Sequence, residues 1–213
     1  MNQDYQNISK FINNKQRIIG ITGGIASGKT TIAKYISNNT KIPIIDSDKI
    51  GKEELAINSD GYFKIIDHFG DNIIKNPLYS REIDRKKLAS IIFSDQREKE
   101  WLESILHPII YFRIANEIKK YKNEGIIILL VPLLFESNFT KLCNETWLIK
   151  CSKEEQLKRL IKRDQISESE AINKINSQWP LEKKILKADI IIENNKDRDK
   201  NKWENRLKQL LLI

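Results

Sequence analysis

Two regimes of apolar and polar positions alternate along this chain. Short runs rich in β-branched residues recur: "RIIGI" from Arg17, "KIPIID" ending at Asp46, "GIIILLVPLLFE" from Gly125, "ETWLIKC" from Glu145 and "ADIIIEN" from Ala188. Their length and composition predict strands. Between and after them, "TTIAKYISNN", "SKEEQLKRLIKRD", "ESEAINKINSQ" and "KWENRLKQLLL" place apolar residues three and four apart, the spacing of amphipathic helices. The nearly unbroken run from Gly125 predicts an interior parallel strand covered on both faces. Strands alternating with helices through crossover-length connections predict an α/β protein, a doubly wound parallel sheet flanked by helices.

One stretch departs from the alternation. From about 49 to 122 the pattern is mostly helical, interrupted at "FGDN" and "KNPLYS". Its later part repeats at helical spacing from Asp84 to Tyr121, with Ser80 or Asp84 as the cap, and Pro108 is expected to break it after His107. Ser152, three residues before Glu155, predicts a capping box. Residues 1–16 are polar and read as a tail.

Composition changes little. Of 213 residues, 40% are hydrophobic and 31% charged, as in ordinary globular domains. The two cysteines, Cys143 and Cys151, have neither metal-ligand spacing nor a disulfide framework, so reduced thiols in the cytoplasm are expected. No apolar run reaches the ~20 residues of a spanning helix. The net charge of +8 comes from lysines scattered along a chain rich in Lys, Asn and Ile, and by itself assigns no partner.

The candidate chemistry starts at "GITGGIASGKTT", residues 20–31. Gly23-x-x-x-x-Gly28-Lys29-Thr30 fits the phosphate-binding loop pattern, with a strand before it and a helix after. Glycines let successive amides turn toward phosphate oxygens, and the helix presents its positive end to them. Lys29 supplies a compact charge toward the β- and γ-phosphates, and Thr30 a hydroxyl for Mg²⁺. Gly23, Gly24, Ala26, Ser27, Gly28, Lys29, Thr30 and Thr31 are therefore the candidate ATP-binding residues, in a P-loop NTPase fold.

Asp46 and Asp48 stand two apart at the carboxyl end of the second predicted strand, the edge where doubly wound sheets bind ligands. In an extended segment both would face one volume. There they could divide the jobs of holding Mg²⁺ and taking a hydroxyl proton, or form an Asp-Ser-Asp helix entry.

The segments "TGGIASGKTT", "IIDSDKIGKE", "DRKKLASIIF", "HPII", "VPLLFE", "QLKRLIKRD" and "INSQ…EKKILKADIIIENN" follow one another in an order that resembles the dephospho-coenzyme A kinase family. The resemblance spans residues 17–213. It implies ATP-dependent phosphorylation of the ribose 3′-hydroxyl of dephospho-coenzyme A, the last step of coenzyme A synthesis. It also implies a nucleotide-binding core, a helical substrate-binding insertion at about 49–122 and a lid at about 152–180. Carried onto this chain, it makes Asp48 the base and puts Asp46 near the metal. It assigns Arg85 and His107 to substrate, the alternatives being a solvated helix-face arginine and a structural histidine ahead of a proline. It assigns Pro132, Leu133 and Glu136 to the floor of the acceptor pocket, where Glu136 either joins the metal or substrate shell or anchors a loop. Arg159 and Arg163, one helical turn apart, would close over the triphosphate; the bland alternative pairs them with Glu155 or Asp164. Asn194 would border the adenine. Ala26 stands where the family has glycine, from which a negative φ is expected here. Lys52 replaces arginine, a point charge in place of a bidentate fork, and Gly51 replaces alanine.

The partner so implied is a small molecule, with no nucleic acid or membrane, bound by a monomer or weak oligomer. A shikimate- or gluconate-type kinase is the nearest rival. A P-loop ATPase or nucleic-acid module is more remote, because "IIILLV" ends in proline rather than a Walker B aspartate and the basic residues are dispersed.

Overall fold

The computed structural model describes residues 16–195 and 200–212; apart from Gln16, the expected tail lies outside the described residues. The described residues form two compact units. One runs up to Asp46 and resumes at Ile118; the other is Ser47–Glu117.

The first unit holds a five-stranded parallel sheet. In chain order its strands are β1 (Arg17–Gly23), β2 (Ile44–Asp46), β5 (Ile126–Leu130), β6 (Glu145–Lys150) and β7 (Ile190–Glu193). Their spatial order is β2-β5-β1-β6-β7. β1 lies in the middle, with Arg17 level with Ile126 on β5 and Ile19 level with Glu145 on β6. The glycine loop leaves the carboxyl end of that strand. The expected strands are present, and β5 is interior as its apolar run predicts. Helix α1 (Lys29–Asn39) packs Ile32 and Ile36 onto Ile19, Ile21, Ile128 and Trp147 of the sheet, and a closing helix at Lys200–Leu211 adds Leu207 and Leu211.

The second unit comprises helices α2 (Ser47–Glu53), α3 (Asp60–Phe69), α4 (Arg85–Ser94) and most of α5 (Gln96–Lys120), with a hairpin of β3 (Ile74–Asn76) and β4 (Ser80–Ile83). Tyr62, Ile65, Ile73, Ile83, Leu88 and Leu102 form its core. The hairpin was not expected. "KNPLYS", read as a break between helices, is its turn, and flanking strands of three and four residues are too short to show alternation. A second surprise is Pro108, which does not end a helix. α5 runs through it, because proline removes one backbone donor while tertiary packing still buries Leu102, Ile110, Tyr111, Ile114 and Ile118 along the same helix. The actual break is Asp95, whose carboxylate accepts from the Arg97 amide at 2.8 Å. Asp84 caps α4 through the Lys86 and Lys87 amides.

Helices α6 (Lys153–Asp164), α7 (Glu168–Asn176) and α8 (Leu181–Ile185) fill the stretch between β6 and β7. Ser152 caps α6 by accepting from the Glu155 amide, but the expected box does not close. Glu155 is turned to Arg159, and the Ser152 amide donates to Asn195 Oδ1 instead. The reciprocal box occurs one helix later, between Ser167 and Glu170.

Candidate functional site

The loop between β1 and α1 is shaped by close approaches on both sides. Gly28 has φ 95°, a left-handed conformation, and a Cβ there would run into Asn194 Nδ2. A Cβ on Gly24 would meet Gln156 Oε1. Ala26 also has a positive φ, 57°. The expectation of a negative φ at that position is therefore wrong: the loop needs the left-handed turn, and alanine adopts it at a cost of roughly 1–2 kcal/mol.

Three side chains fix the loop from outside. Asn194, after β7, donates Nδ2 to Ser27 O at 2.8 Å. Arg159, on α6, donates Nη2 to Asn194 O at 3.0 Å and Nη1 to Ser27 O at 3.5 Å, while its Nε donates to Glu155 at 2.8 Å. Gln178 Oε1 accepts from the Ile25 amide at 2.8 Å. Within the loop, Lys29 Nζ donates to Gly23 O and Gly24 O at 2.8 and 3.0 Å. Ser27 Oγ is buried with no hydrogen-bond partner. Thr30 and Thr31 are exposed in the first turn of α1. The sequence-read loop residues thus share one site: the Ser27 carbonyl is held by Asn194 and Arg159, the Ile25 amide by Gln178, and the Gly23 and Gly24 carbonyls by Lys29.

Asp46 ends β2, half-buried, whereas Asp48 lies in the first turn of α2, exposed. The segment is helical from Ser47, so strand alternation does not set the direction of the two carboxylates. An acid in a helix's first turn complements its dipole, so the helix-entry reading of Asp48 holds as local structure.

Glu136, in the turn after β5, pairs with Lys184 Nζ at 2.7 Å and accepts from the Trp179 amide at 3.3 Å. Here it anchors a loop. Pro132 O accepts from Thr22 Oγ1 at 3.0 Å, and Leu133 O takes both the amide and the hydroxyl of Ser137. Arg163 is exposed and pairs with the adjacent Asp164, whose carboxyl it holds below the usual range. Arg159 and Arg163 therefore make the bland pairings with Glu155 and Asp164, and only Arg159 also reaches the phosphate loop.

In the second unit, Arg85 Nη2 donates to Lys52 O at 3.1 Å, serving the carboxyl end of α2. Gly51 leaves room for Ile110, whose Cδ1 would stand 3.3 Å from an alanine Cβ. His107 is half-buried on α5, and burial lowers its pKa against an opposing pull from Glu103. Sequence reading missed Arg113, which bridges Glu53 and the buried Glu54, and Glu54 in turn accepts from the Gly61 amide. It also gave no role to Gln156, Gln178 and Lys184. All three lie in the segments "QLKRLIKRD" and "INSQ…EKKILKADIIIENN" that carry the family resemblance, and Gln156 is in addition a polar residue in line with apolar helix positions.

The family model "Dephospho-CoA kinase" matches residues 17–200. The chain belongs to the dephospho-CoA kinase family. It is 46% identical over 201 residues to the dephospho-CoA kinase of Prochlorococcus marinus (strain MIT 9312), covering 94% of this chain and 97% of the relative. Among solved structures it is similar to TT1252 of Thermus thermophilus, with TM-score 0.78 and 27% identity over 93% of this chain and 98% of that one. It is also similar to the dephospho-CoA kinase of Campylobacter jejuni, with TM-score 0.66 and 29% identity over 92% and 95% of the two chains. Membership of this kinase family implies ATP as co-substrate. No helix among the described residues is long and apolar enough to cross a membrane.

Proposed function

We propose that this protein transfers the γ-phosphoryl group of ATP to the ribose 3′-hydroxyl of dephospho-coenzyme A, giving coenzyme A and ADP. The observation that carries the proposal is the glycine loop braced by Asn194, Arg159 and Gln178, with Lys29 at its centre, in a chain of the dephospho-CoA kinase family.

In this reading the loop amides and Lys29 grip the β- and γ-phosphates. The Asp48 carboxylate receives the proton of the 3′-hydroxyl as its oxygen bonds to phosphorus and the bond to the β–γ bridging oxygen breaks. Arg159 and Arg163 belong to a lid, about 152–180, that neutralises charge on the transferring group. Arg85, His107 and the Pro132–Leu133 floor bind the acceptor, and Asn194, which braces the phosphate loop, borders the adenine. Thr30 and Asp46 offer one hydroxyl and one carboxylate, hard oxygen donors of the kind and number Mg²⁺ takes from protein when phosphates supply the rest. Among the described residues no cluster of three or more His, Cys, Asp or Glu could hold a metal by itself, which fits an ion arriving with the nucleotide. Bound there, Mg²⁺ supplies charge neutralisation at the phosphates.

A small-molecule partner and a cytoplasmic monomer or weak oligomer complete the proposal. The cations Arg17, Lys75, Arg81, Arg113 and Lys150 pair with carboxylates, which supports a solvated surface over a nucleic-acid stripe. A coupled ADP-release assay tests the reading. Turnover is expected with dephospho-coenzyme A and none with shikimate; turnover on shikimate alone overturns it. Titration with duplex DNA over a salt series is expected to show no tight, salt-steep binding.

A further inference from the structure

Lys184 and Glu136 are the most deeply buried ion pair among the described residues. The Lys184 side chain is 1% exposed and that of Glu136 12%, with Nζ and Oε1 2.7 Å apart. The exposure removes Lys184 from direct contact with any diffusing phosphate. Taking two such charges out of water costs several kcal/mol per ion, and apolar residues of similar volume would often be as stable. Stability alone is therefore a poor reason for the pair.

Its bonding points elsewhere. Glu136 Oε2 and Lys184 Nζ are each buried with no hydrogen-bond partner, so the two charges meet as an ion pair and the carboxylate's hydrogen bond is the one Oε1 accepts from the Trp179 amide at 3.3 Å. The preceding residue, Gln178, accepts from the Ile25 amide of the phosphate loop at 2.8 Å. Two consecutive residues thus hold two different loops: Gln178 the one that grips the nucleotide, Trp179 the one that follows β5. Lys183 Nζ sits 3.4 Å from the Trp179 ring centroid and clamps the same segment. On the far side, Thr22 Oγ1 ties β1 to Pro132 O at 3.0 Å.

We propose that Glu136 and Lys184 are a positioning pair. By fixing Gln178–Trp179, they hold the phosphate loop and the Pro132–Glu136 turn in one register, so that ATP and acceptor meet at reacting distance. The inference rests on the kinase reading and adds to it residues that touch neither substrate. Misplacement of reacting groups by about an ångström costs up to ~10²-fold in rate.

The test separates position from stability. The apolar double variant Glu136→Leu/Lys184→Met removes the acceptor for Trp179 without stranding a charge. Its melting temperature is expected within about 4 °C of wild type, roughly 1 kcal/mol for a chain this size, while kcat falls about tenfold or more. Glu136→Gln/Lys184→Met keeps an acceptor oxygen for Trp179 and is expected to recover most of that loss. Gln178→Ala, which releases Ile25, is expected to lower kcat by a similar factor. Combined with the apolar pair it should add little further loss, because both act through one segment. A folded apolar variant with wild-type kcat, or losses that multiply independently in the combination, overturns the proposal. Should the apolar variant fail to fold, Glu136→Gln/Lys184→Met and Gln178→Ala are read instead. Near-wild-type kcat in the first with a roughly tenfold loss in the second supports the positioning role, and a roughly tenfold loss in the first or wild-type kcat in the second overturns it. Failure of the wild type to turn over dephospho-coenzyme A would strike the kinase reading instead, and is seen before any variant is made.

Discussion

Asn194 stands against the phosphate loop, its Nδ2 2.8 Å from Ser27 O and filling the place where a Cβ of Gly28 would lie. The end of β7 is thus a mould for the loop: the carbonyl of Ser27 is held outward and the backbone of Gly28 left-handed. Replacing Gly28 by alanine is expected to raise the KM for ATP about 100-fold, since backbone strain and the collision with Asn194 act together. Asn194→Ala removes the brace but not the space, and is expected to cost about 1 kcal/mol in stability with a smaller rise in KM. Steady-state kinetics at saturating acceptor check both.

Ala26 is already in the conformation that glycine adopts freely. Ala26→Gly relieves roughly 1–2 kcal/mol of left-handed strain and returns about 0.4–1 kcal/mol to the unfolded chain. A small net gain in stability is expected, read as a higher denaturant midpoint at constant slope.

Lys29→Ala is expected to abolish turnover. Asp48→Asn is expected to lower kcat by orders of magnitude while an ATP analogue still binds, which marks a step-specific role. Asp46→Asn should instead raise the Mg²⁺ concentration needed for half-maximal turnover. A variant series in which Asp46→Asn stops chemistry and Asp48→Asn leaves it intact reverses the two assignments.

His107 titrates below its ordinary range because burial disfavours its charged form, with Glu103 pulling weakly the other way. The unfolded chain therefore takes up a proton near pH 6.5 that the native state resists. Its contribution to stability is present above that pH and lost as pH falls through it toward the depressed native value. Between pH 7.5 and 5.5 the wild type is expected to lose melting temperature faster than His107→Gln.

Burial pushes the Cys143 thiol up to about 12 and raises that of Cys151 as well. Neither is expected to react with a thiol reagent at pH 8 until the protein unfolds, because the thiolate is the reactive form. Labelling followed by mass analysis, with and without denaturant, reads this directly.

The nucleotide loop was legible because its information is local. Gly23, Gly28, Lys29 and Thr30 sit within eight positions of one another, between a strand and a helix that each announce themselves by periodicity. The parallel sheet was legible for the same reason: apolar runs such as Ile126–Leu130 are continuous when both faces are buried. The hairpin around Asn76–Ser80 and the passage of α5 through Pro108 were not, since strand pairing and the burial of Leu102, Ile110, Tyr111 and Ile114 along that helix override local preference.

What the sequence determined by itself, then, is the order of strands and helices around the parallel sheet, the phosphate-gripping motif and the family to which its segments conform. What only the tertiary structure decided is which side chains brace that motif. Asn194 lies 167 positions from Ser27, Gln178 lies 153 from Ile25, and Lys184 meets Glu136 across the end of the sheet. No periodicity records such pairings. They exist because the parallel order β5-β1-β6-β7 brings the carboxyl ends of distant strands to one edge, where buried polar groups must find partners.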